Sequence, residues 1–199
     1  MSRYLLTQSL LNSWLYLYKV NENFADSVYK DFLDVLYRKD RLPSKAMQAG
    51  IDFENMVTAA ANGAKVKSEA ANKVADIVRG GQTQVALYQR KTIYCIDFLL
   101  YGRLDYLKAG TIYDVKFVIR EGNYEAGKYV DAIQHPFYFE LLPEANQFDY
   151  LISDGIDVFT ESYRRESVES IDWTVSEFID FLRVHKLLEV YYEKWAARS

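Results

Sequence analysis

The sequence predicts an α/β fold, a single domain over residues 1–199 in which helices flank a mixed central β-sheet. Apolar residues recur at helical spacing before residue 81 and again after residue 164, whereas the middle of the chain is rich in aromatic and β-branched residues. No linker, repeat or low-complexity tract interrupts the pattern. We therefore expect N-terminal helices over 1–81, a core sheet with one helix over 82–163, and a C-terminal helix over 164–199.

Composition narrows the class of protein. Of the 199 residues, 50% are hydrophobic and 16% aromatic, enough for one well-buried core, and the net charge is −4. That charge is not typical of a protein that coats nucleic acid by bulk attraction. We expect no membrane span, because no run of 18 apolar residues is present. We also expect no signal peptide, because the N-terminus lacks a basic segment followed by an apolar segment and a cleavage site of small residues. The lone Cys95 is expected to be buried in a strand, and such cysteine usage predicts a reducing, cytoplasmic location.

The N-terminal part is predicted to be helical. Apolar periodicity predicts helices at 4–18, 24–37, 44–62 and 65–79. Ser44 is the expected N-cap of the third helix and Gly63 its end, and Gly80 follows the fourth.

The middle of the chain predicts strands and turns. Strands are expected at 85–92, 94–106, 111–118, 148–152 and 156–163. Lys108-Ala109-Gly110 is expected to form a turn, and Asp154-Gly155 is a strong hairpin signal. A loop is expected at 122–127, followed by a helix at 129–142 with a late start or kink caused by Pro136.

The C-terminal part predicts one long helix. Thr174 and Glu177 have the spacing of a capping box, in which each side chain bonds a free backbone N–H of the first turn. The apolar periodicity that follows continues to about Trp195. We expect one helix from Thr174 to that point.

Three side chains of the central hairpin point to chemistry. Residues two apart on a strand share a face, so Asp114 and Lys116 lie together, and the turn folds Asp105 back toward Asp114. Two carboxylates and one amine then converge. A strand of alternating polar and apolar residues is also typical of any half-solvated sheet, so the order of the three residues matters more than the strand itself.

This order resembles the PD-(D/E)XK nuclease superfamily. Asp105 matches its first acid, and Asp114-Val-Lys116 matches the (D/E)XK element. Gly102-Arg-Leu stands before Asp105 where a proline would complete the motif. The resemblance implies a restriction-endonuclease-like core.

Two flanking helices make the resemblance more specific. Gly50 and Glu54 lie four apart upstream, and Gln134 and Tyr138 lie four apart downstream, so each pair shares a helix face. In this order they are similar to the motifs of RecB-like nucleases, their CRISPR-associated relatives and phage-type exonucleases. Without this resemblance, Glu54 would be interpreted as a surface residue and Tyr138 as a core residue. Gly50 would be interpreted as a position where the helix packs closely against another backbone. With Cys95 as the only cysteine, the chain has no iron–sulfur cluster ligands.

The resemblance implies a metal-dependent mechanism. Mg²⁺ or Mn²⁺ would be held by Glu54, Asp105, Asp114 and the carbonyl of Val115, because hard cations prefer oxygen ligands. Lys116 would orient or deprotonate the attacking water, with its pKa lowered by the cations, or would stabilise the transition state by its charge.

The expected substrate is DNA. Gln134, Tyr138, Arg103 and Arg120 are the expected DNA contacts, and Lys128, Arg90 and Lys91 are further candidates for phosphate contacts. We expect a metal-dependent nuclease that hydrolyses phosphodiester bonds, with an end preference, in DNA recombination, repair or phage DNA metabolism. The alternatives are an endonuclease of the same fold and a non-catalytic DNA-binding module. A homo-oligomer or a recombination partner protein stays open.

Overall fold

The computed structural model describes residues 3–118 and 124–197, and within them six strands form one sheet. The strands are β1 (Tyr4–Thr7), β2 (Gln82–Ile93), β3 (Ile96–Lys108), β4 (Thr111–Phe117), β5 (Gln147–Ser153) and β6 (Val158–Arg164). The helices are α1 (Gln8–Leu15), α2 (Ala25–Leu36), α3 (Lys45–Ala61), α4 (Glu69–Val78), α5 (Gln134–Leu141), α6 (Asp172–Val184) and α7 (Leu188–Lys194). None of these helices is long and apolar enough to cross a membrane.

The sheet is mixed, as predicted. β1 pairs with β3 and β4 pairs with β5 in parallel, whereas the pairs β2–β3, β3–β4 and β5–β6 are antiparallel. β5 lies between β4 and the edge strand β6 and is buried on both faces. The α/β fold class with helices flanking a mixed sheet is therefore confirmed.

Each face of the sheet has its own hydrophobic core. On one face, α3 and α4 pack through Phe53, Val57 and Val74 against Tyr106 and Leu151. On the other face, α1, α2, α5, α6 and α7 cover a larger core. The sheet is thus the middle of three layers.

The first predicted helix, 4–18, is wrong at its beginning. Residues 4–7 form β1, and the Thr7 side chain accepts a hydrogen bond from the Leu10 backbone N–H at 3.2 Å, which caps α1 at Gln8. Leu6 is fully buried within the sheet. Four residues are too few to show the period-2 pattern of a strand when an amphipathic helix follows at once. The strand can be recognised only in the structure, where it pairs with residues 98–101 of β3.

The C-terminal helix is also corrected. α6 begins at Asp172 rather than at Thr174, with no side-chain cap, so the predicted capping box does not form. The helix then ends at Val184, and Lys186 takes a positive φ of 59° before α7 begins. This turn lets α7 fold back to place Trp195 beside Leu36, whose carbonyl accepts the indole N–H at 2.8 Å.

Two further predictions concern α5 and Cys95. α5 covers only Gln134–Leu141, and Pro136 lies in its first turn, where its missing N–H breaks no helical bond. Cys95 is exposed rather than buried. It forms a two-residue hairpin turn with Tyr94, both at positive φ, so β3 begins at Ile96 instead of at residue 94.

The two glycines next to the site lie in opposite surroundings. A Cβ at Gly102 would lie 2.5 Å from Leu141 Cδ1 and 2.6 Å from Tyr138 Cε1, whereas a Cβ at Gly50 would meet nothing within 4 Å. The expectation that Gly50 permits close packing is therefore wrong for the described residues. Gly102 is the position where a helix, α5, approaches the sheet closely.

Gly102→Ala is expected to lower the free energy of unfolding by about 1–3 kcal/mol, because the Tyr138 ring cannot move aside without disturbing the core. Gly50→Ala is the matched control and is expected to be neutral or stabilising by up to about 1 kcal/mol, since Ala favours a helix. Urea denaturation of the two variants measures both changes. A Gly102→Ala protein as stable as wild type would contradict the close approach of α5.

His135 makes stability depend on pH. The ring is buried, lies within 3.2 Å of the Tyr150 hydroxyl and stacks on Tyr163, and burial lowers its pKa to about 4 although the charge of Glu161 opposes this shift. Between about pH 6.5 and 4 the unfolded chain binds a proton here and the folded protein does not. Protonation in this window therefore favours unfolding.

We expect His135→Phe to remove part of the acid sensitivity. Wild type should lose about 3 kcal/mol of stability at this residue as pH falls from 6.5 to 4, and the variant should not, because phenylalanine keeps the stacking but binds no proton. Denaturant titrations at several pH values give the difference between the two slopes. Parallel slopes would show that His135 titrates normally in the folded protein.

Candidate active site

The site lies where β3 has no strand partner on one edge. β2 follows β3 along the other edge. On the edge in question, β1 pairs with residues 98–101 and β4 with residues 106–108, while β4 continues along β5. The four residues between, 102–105, are left without a strand neighbour, and we call them the free stretch of β3. Asp105 ends this stretch.

Asp105 replaces the missing sheet hydrogen bond with its side chain. Its carboxylate Oδ2 accepts the Val115 backbone N–H at 2.9 Å across the gap to β4. Burial raises the pKa of Asp105 well above its usual range, and the nearby charges of Asp114 and Glu54 raise it further. A carboxylate held beside two others is unfavourable unless positive charge is near, which is the electrostatic situation of a cation site.

Asp114 is the buried centre of the site, with 6% of its surface exposed. Gln134 donates a hydrogen bond to Oδ1, and the Lys116 amine lies 2.7 Å from Oδ2. The predicted convergence of Asp105, Asp114 and Lys116 is therefore what the structure shows. All three side chains are at the divergence of β3 and β4.

Lys116 is held as a cation by its neighbours. Burial acts to lower its pKa, but the charge and hydrogen bond of Asp114 outweigh burial, so the pKa is raised. The expected lowering belongs to a site that contains cations, and in the protein alone the direction is the opposite. At neutral pH Lys116 is thus protonated and available as a positive charge.

Glu54 approaches the same point from α3. Burial raises the pKa of Glu54, as does the charge of Asp114, while Arg103 acts in the opposite direction. Its Oε1 accepts the Gln84 side-chain amide at 2.5 Å. Glu54 is therefore a member of the site rather than an isolated surface residue.

The four residues predicted to contact DNA have different surroundings. Tyr138 is 7% exposed and its hydroxyl donates to the Arg103 carbonyl at 3.0 Å, so this ring packs α5 onto the free stretch of β3. Gln134 faces Asp114. Arg103 is exposed beside the site, whereas Arg120 lies outside the described residues. The core position suggested for Tyr138 alone is the one that the structure shows.

The oxygen donors fit a hard divalent cation by type, but their arrangement does not form a complete ligand set. In residues 3–118 and 124–197, no three Asp, Glu, His or Cys side chains are grouped as metal ligands. Both oxygens of Asp114 face Lys116 and Gln134. The Val115 N–H points toward β3, and because the N–H and C=O of one strand residue face the same edge, its carbonyl faces the gap too.

Sequence reasoning missed two contributors. Gln84 on β2 lies across from Asp105, takes a positive φ of 52° and holds Glu54. Tyr129 stacks on Tyr150 with ring centroids 4.4 Å apart, near Lys116. No motif marks either residue.

The position of Tyr129 depends on Glu161. This buried carboxylate on β6 accepts hydrogen bonds from the hydroxyls of Tyr124 and Tyr163 and from the backbone N–H groups of residues 127–129. These bonds lower the pKa of Glu161 although burial raises it. The turn before α5 is thereby fixed next to the site. The only signal in the sequence was an acidic residue within a strand.

Gln134→Ala is expected to reduce DNA cleavage roughly tenfold, because a hydrogen bond to a charged group is lost next to the reacting atoms. Mn²⁺ binding, measured by calorimetry, should persist because every proposed ligand remains. Tyr138→Phe is the matched control on the same helix, and it removes only the bond to the Arg103 carbonyl. Equal activity of Gln134→Ala and wild type would make the match to the nuclease motif accidental.

Comparisons with known proteins add little. No protein-family model and no curated protein matches the sequence. Among solved structures, the chain is similar to one described as the crystal structure of SSO0001, with a TM-score of 0.45 and 12% identity over 94% of this chain and 77% of that one. It is also similar to Scheffersomyces stipitis Rai1, with a TM-score of 0.34 and 12% identity over 90% of this chain and 61% of that one. Similarities this remote carry no information on what the chain does.

Proposed function

We propose that the protein is a metal-dependent nuclease that hydrolyses phosphodiester bonds in DNA. The observation that supports this most is the meeting of Asp105, Asp114 and Lys116 at the divergence of β3 and β4, with Glu54 added from α3. Three carboxylates and a lysine on an open edge of the sheet are costly for stability, because like charges raise the free energy of the folded protein. Such a cost is typical of sites that act on a substrate.

The residues that would hold the proposed cation are Glu54, Asp105, Asp114 and the Val115 carbonyl, because Mg²⁺ and Mn²⁺ prefer oxygen donors of these types. When bound, the cation supplies positive charge for the phosphate oxygens and acidity for a water molecule.

Lys116 contributes a fixed positive charge. Its amine is held 2.7 Å from Asp114 and is protonated, so it can donate hydrogen bonds to a water or to a phosphate oxygen. Charge develops on the phosphate in the transition state, and a preorganised cation is most effective there. Of the two roles considered for Lys116, stabilisation of the transition state agrees better with its raised pKa.

The rivals are an endonuclease of the same fold and a non-catalytic DNA-binding module. Preference for DNA ends follows from the resemblance to RecB-like exonucleases. Asp105 accepts the Val115 N–H, and Lys116 pairs with the buried Asp114. Buried carboxylates favour a catalytic role over a non-catalytic DNA-binding module, because DNA binding alone relies on positive charge near the phosphates.

Labelled linear, circular and nicked DNA, each incubated with Mg²⁺, Mn²⁺ or a chelator, test the proposal. We expect metal-dependent degradation of linear DNA and an intact circle. Cleavage of the closed circle would select the endonuclease instead. Binding without cleavage in either metal would select the non-catalytic module and overturn the proposal.

A further inference from the structure

The outer face of the hairpin formed by β2 and β3 leads directly away from Asp105. Alternate residues share a face, so Tyr101 and Arg103 lie on one side of β3, and the charge of Arg103 acts on Glu54 at the site. On β2, Tyr88 pairs with Tyr101. The opposite face of the hairpin is buried under helices, whereas Tyr88 is 62% exposed and Arg103 is also exposed.

Two tyrosines on this face form an aromatic surface that belongs to neither core. The rings of Tyr88 and Tyr101 lie with centroids 4.8 Å apart at an angle of 32°. Both rings are absent from the two hydrophobic cores of the described chain. Tyr88 is exposed and Tyr101 is half-buried. The pair stabilises the hairpin, and the exposed ring of Tyr88 also offers a π-face to a ligand.

Arginines flank the aromatic pair. Arg103 precedes it on the way from Asp105, and Arg90 follows it on β2, across from Leu99. In the described part of the chain, neither arginine has a carboxylate within ion-pair distance. Many other basic residues of this protein do, namely Lys39, Arg41, Lys73, Arg79, Lys91, Lys116, Arg164, Arg183 and Lys194. The two arginines are therefore free to contact an anionic ligand.

The spacing suits a single strand of nucleic acid. At about 3.4 Å per residue, Arg103 lies roughly 7 Å and Tyr101 roughly 14 Å from Asp105 along β3. Phosphate contacts from arginine with bases stacked on aromatic rings are how proteins bind unpaired strands. A base inside a duplex has both faces covered by its neighbours, so only an unpaired base can use the tyrosines.

We propose that Arg103, Tyr101, Tyr88 and Arg90, here called the hairpin platform, bind the single-stranded part of the substrate that extends from the cleavage site. This inference rests on the proposed nuclease function and adds the strand state of the substrate. The platform ends at Asp97, which accepts a hydrogen bond from Thr92 at 2.6 Å and places a negative charge in the path. Its length thus suits only the few nucleotides next to the scissile phosphate.

Tyr88→Ala is expected to weaken binding of a labelled single-stranded oligonucleotide roughly tenfold, with Ca²⁺ in place of Mg²⁺ so that the strand stays intact. Fluorescence anisotropy gives the dissociation constant. Tyr94→Ala is the matched control, because Tyr94 is 63% exposed in the same hairpin but lies at its far turn. Thermal unfolding identifies any variant in which the hairpin is no longer folded. Tyr88→Leu keeps an apolar side chain at this position but has no aromatic ring, so it should weaken binding as Tyr88→Ala does.

An oligonucleotide with abasic sites at the second to fourth positions from its end separates stacking from other effects. If bases stack on Tyr88, the variant and wild type should bind the abasic strand equally. If Tyr88→Ala lowers the affinity equally for the intact and the abasic oligonucleotide, or lowers it for neither, the hairpin platform is overturned even if wild type cleaves DNA. A wild-type protein that binds single strands but cleaves nothing would leave the platform standing while the proposed function fails. A wild type that binds no single strand overturns the platform.

Discussion

Lys116→Ala is expected to lower the rate of DNA cleavage by roughly 100-fold or more, which is the contribution of a positioned acid–base or charge-donating group. The amine is not a metal ligand while it is protonated, so the proposed cation and the DNA should still bind. Its removal also ends the 2.7 Å contact with Asp114, which leaves that carboxylate to Gln134 alone. Interactions made mainly in the transition state lower turnover with little change in ground-state binding.

Lys116→Arg provides the conservative control. The guanidinium keeps the charge but is larger, so it should restore the rate only in part. Single-turnover cleavage, DNA binding in Ca²⁺ and thermal unfolding are measured together, because Asp114 is buried and the loss of its partner affects stability. Near wild-type turnover by folded Lys116→Ala would remove Lys116 from the mechanism.

Asp105→Asn is expected to lose cleavage by at least 100-fold and yet to be more stable than wild type at neutral pH. The amide oxygen can still accept the Val115 N–H, but the charge next to Asp114 and Glu54 is gone. The pKa of Asp105 is raised in the folded protein, so this group stabilises the fold below the unfolded pKa and ceases to do so as pH rises through the folded pKa. Asparagine has no proton to lose.

Thermal unfolding from pH 4 upward, with and without Mg²⁺, measures this trade-off. The melting temperature of Asp105→Asn should exceed that of wild type by a margin that grows as pH rises. Mg²⁺ should stabilise wild type more than the variant, because a ligand that binds the folded state shifts unfolding by mass action. A destabilised variant that still responds fully to Mg²⁺ would mean that Asp105 is structural.

The sequence was most informative where chemistry and periodicity agree. Asp114 and Lys116 are two apart on a strand, and a two-residue turn at Ala109-Gly110 with both φ values positive returns that strand beside β3, so their meeting with Asp105 was predictable. Ser44 caps α3 as expected, with its hydroxyl accepting the Met47 N–H. Such local rules act on neighbouring residues and leave a pattern in the chain.

The rest depends on contacts between distant segments. Residues 4–7 form β1 because they pair with residues 98–101 of β3. Residues 102–105 of β3 have no partner on that edge because β4 diverges from β3 and pairs with β5. Gln84 reaches Glu54 from a backbone conformation that its residue type does not favour. Tyr138 was ambiguous in the sequence because an i, i+4 pair describes both a binding face and a buried face.

The most direct test is hydrolysis of end-labelled linear DNA by wild type and by Asp114→Asn, purified side by side and assayed in Mg²⁺ and in Mn²⁺. Asp114 contacts both Lys116 and Gln134, so the substitution affects every part of the site while changing few atoms. We predict cleavage that requires the metal in wild type and no cleavage by a folded Asp114→Asn protein. Equal cleavage by the two proteins, or none by wild type in either metal, would contradict a nuclease centred on Asp114.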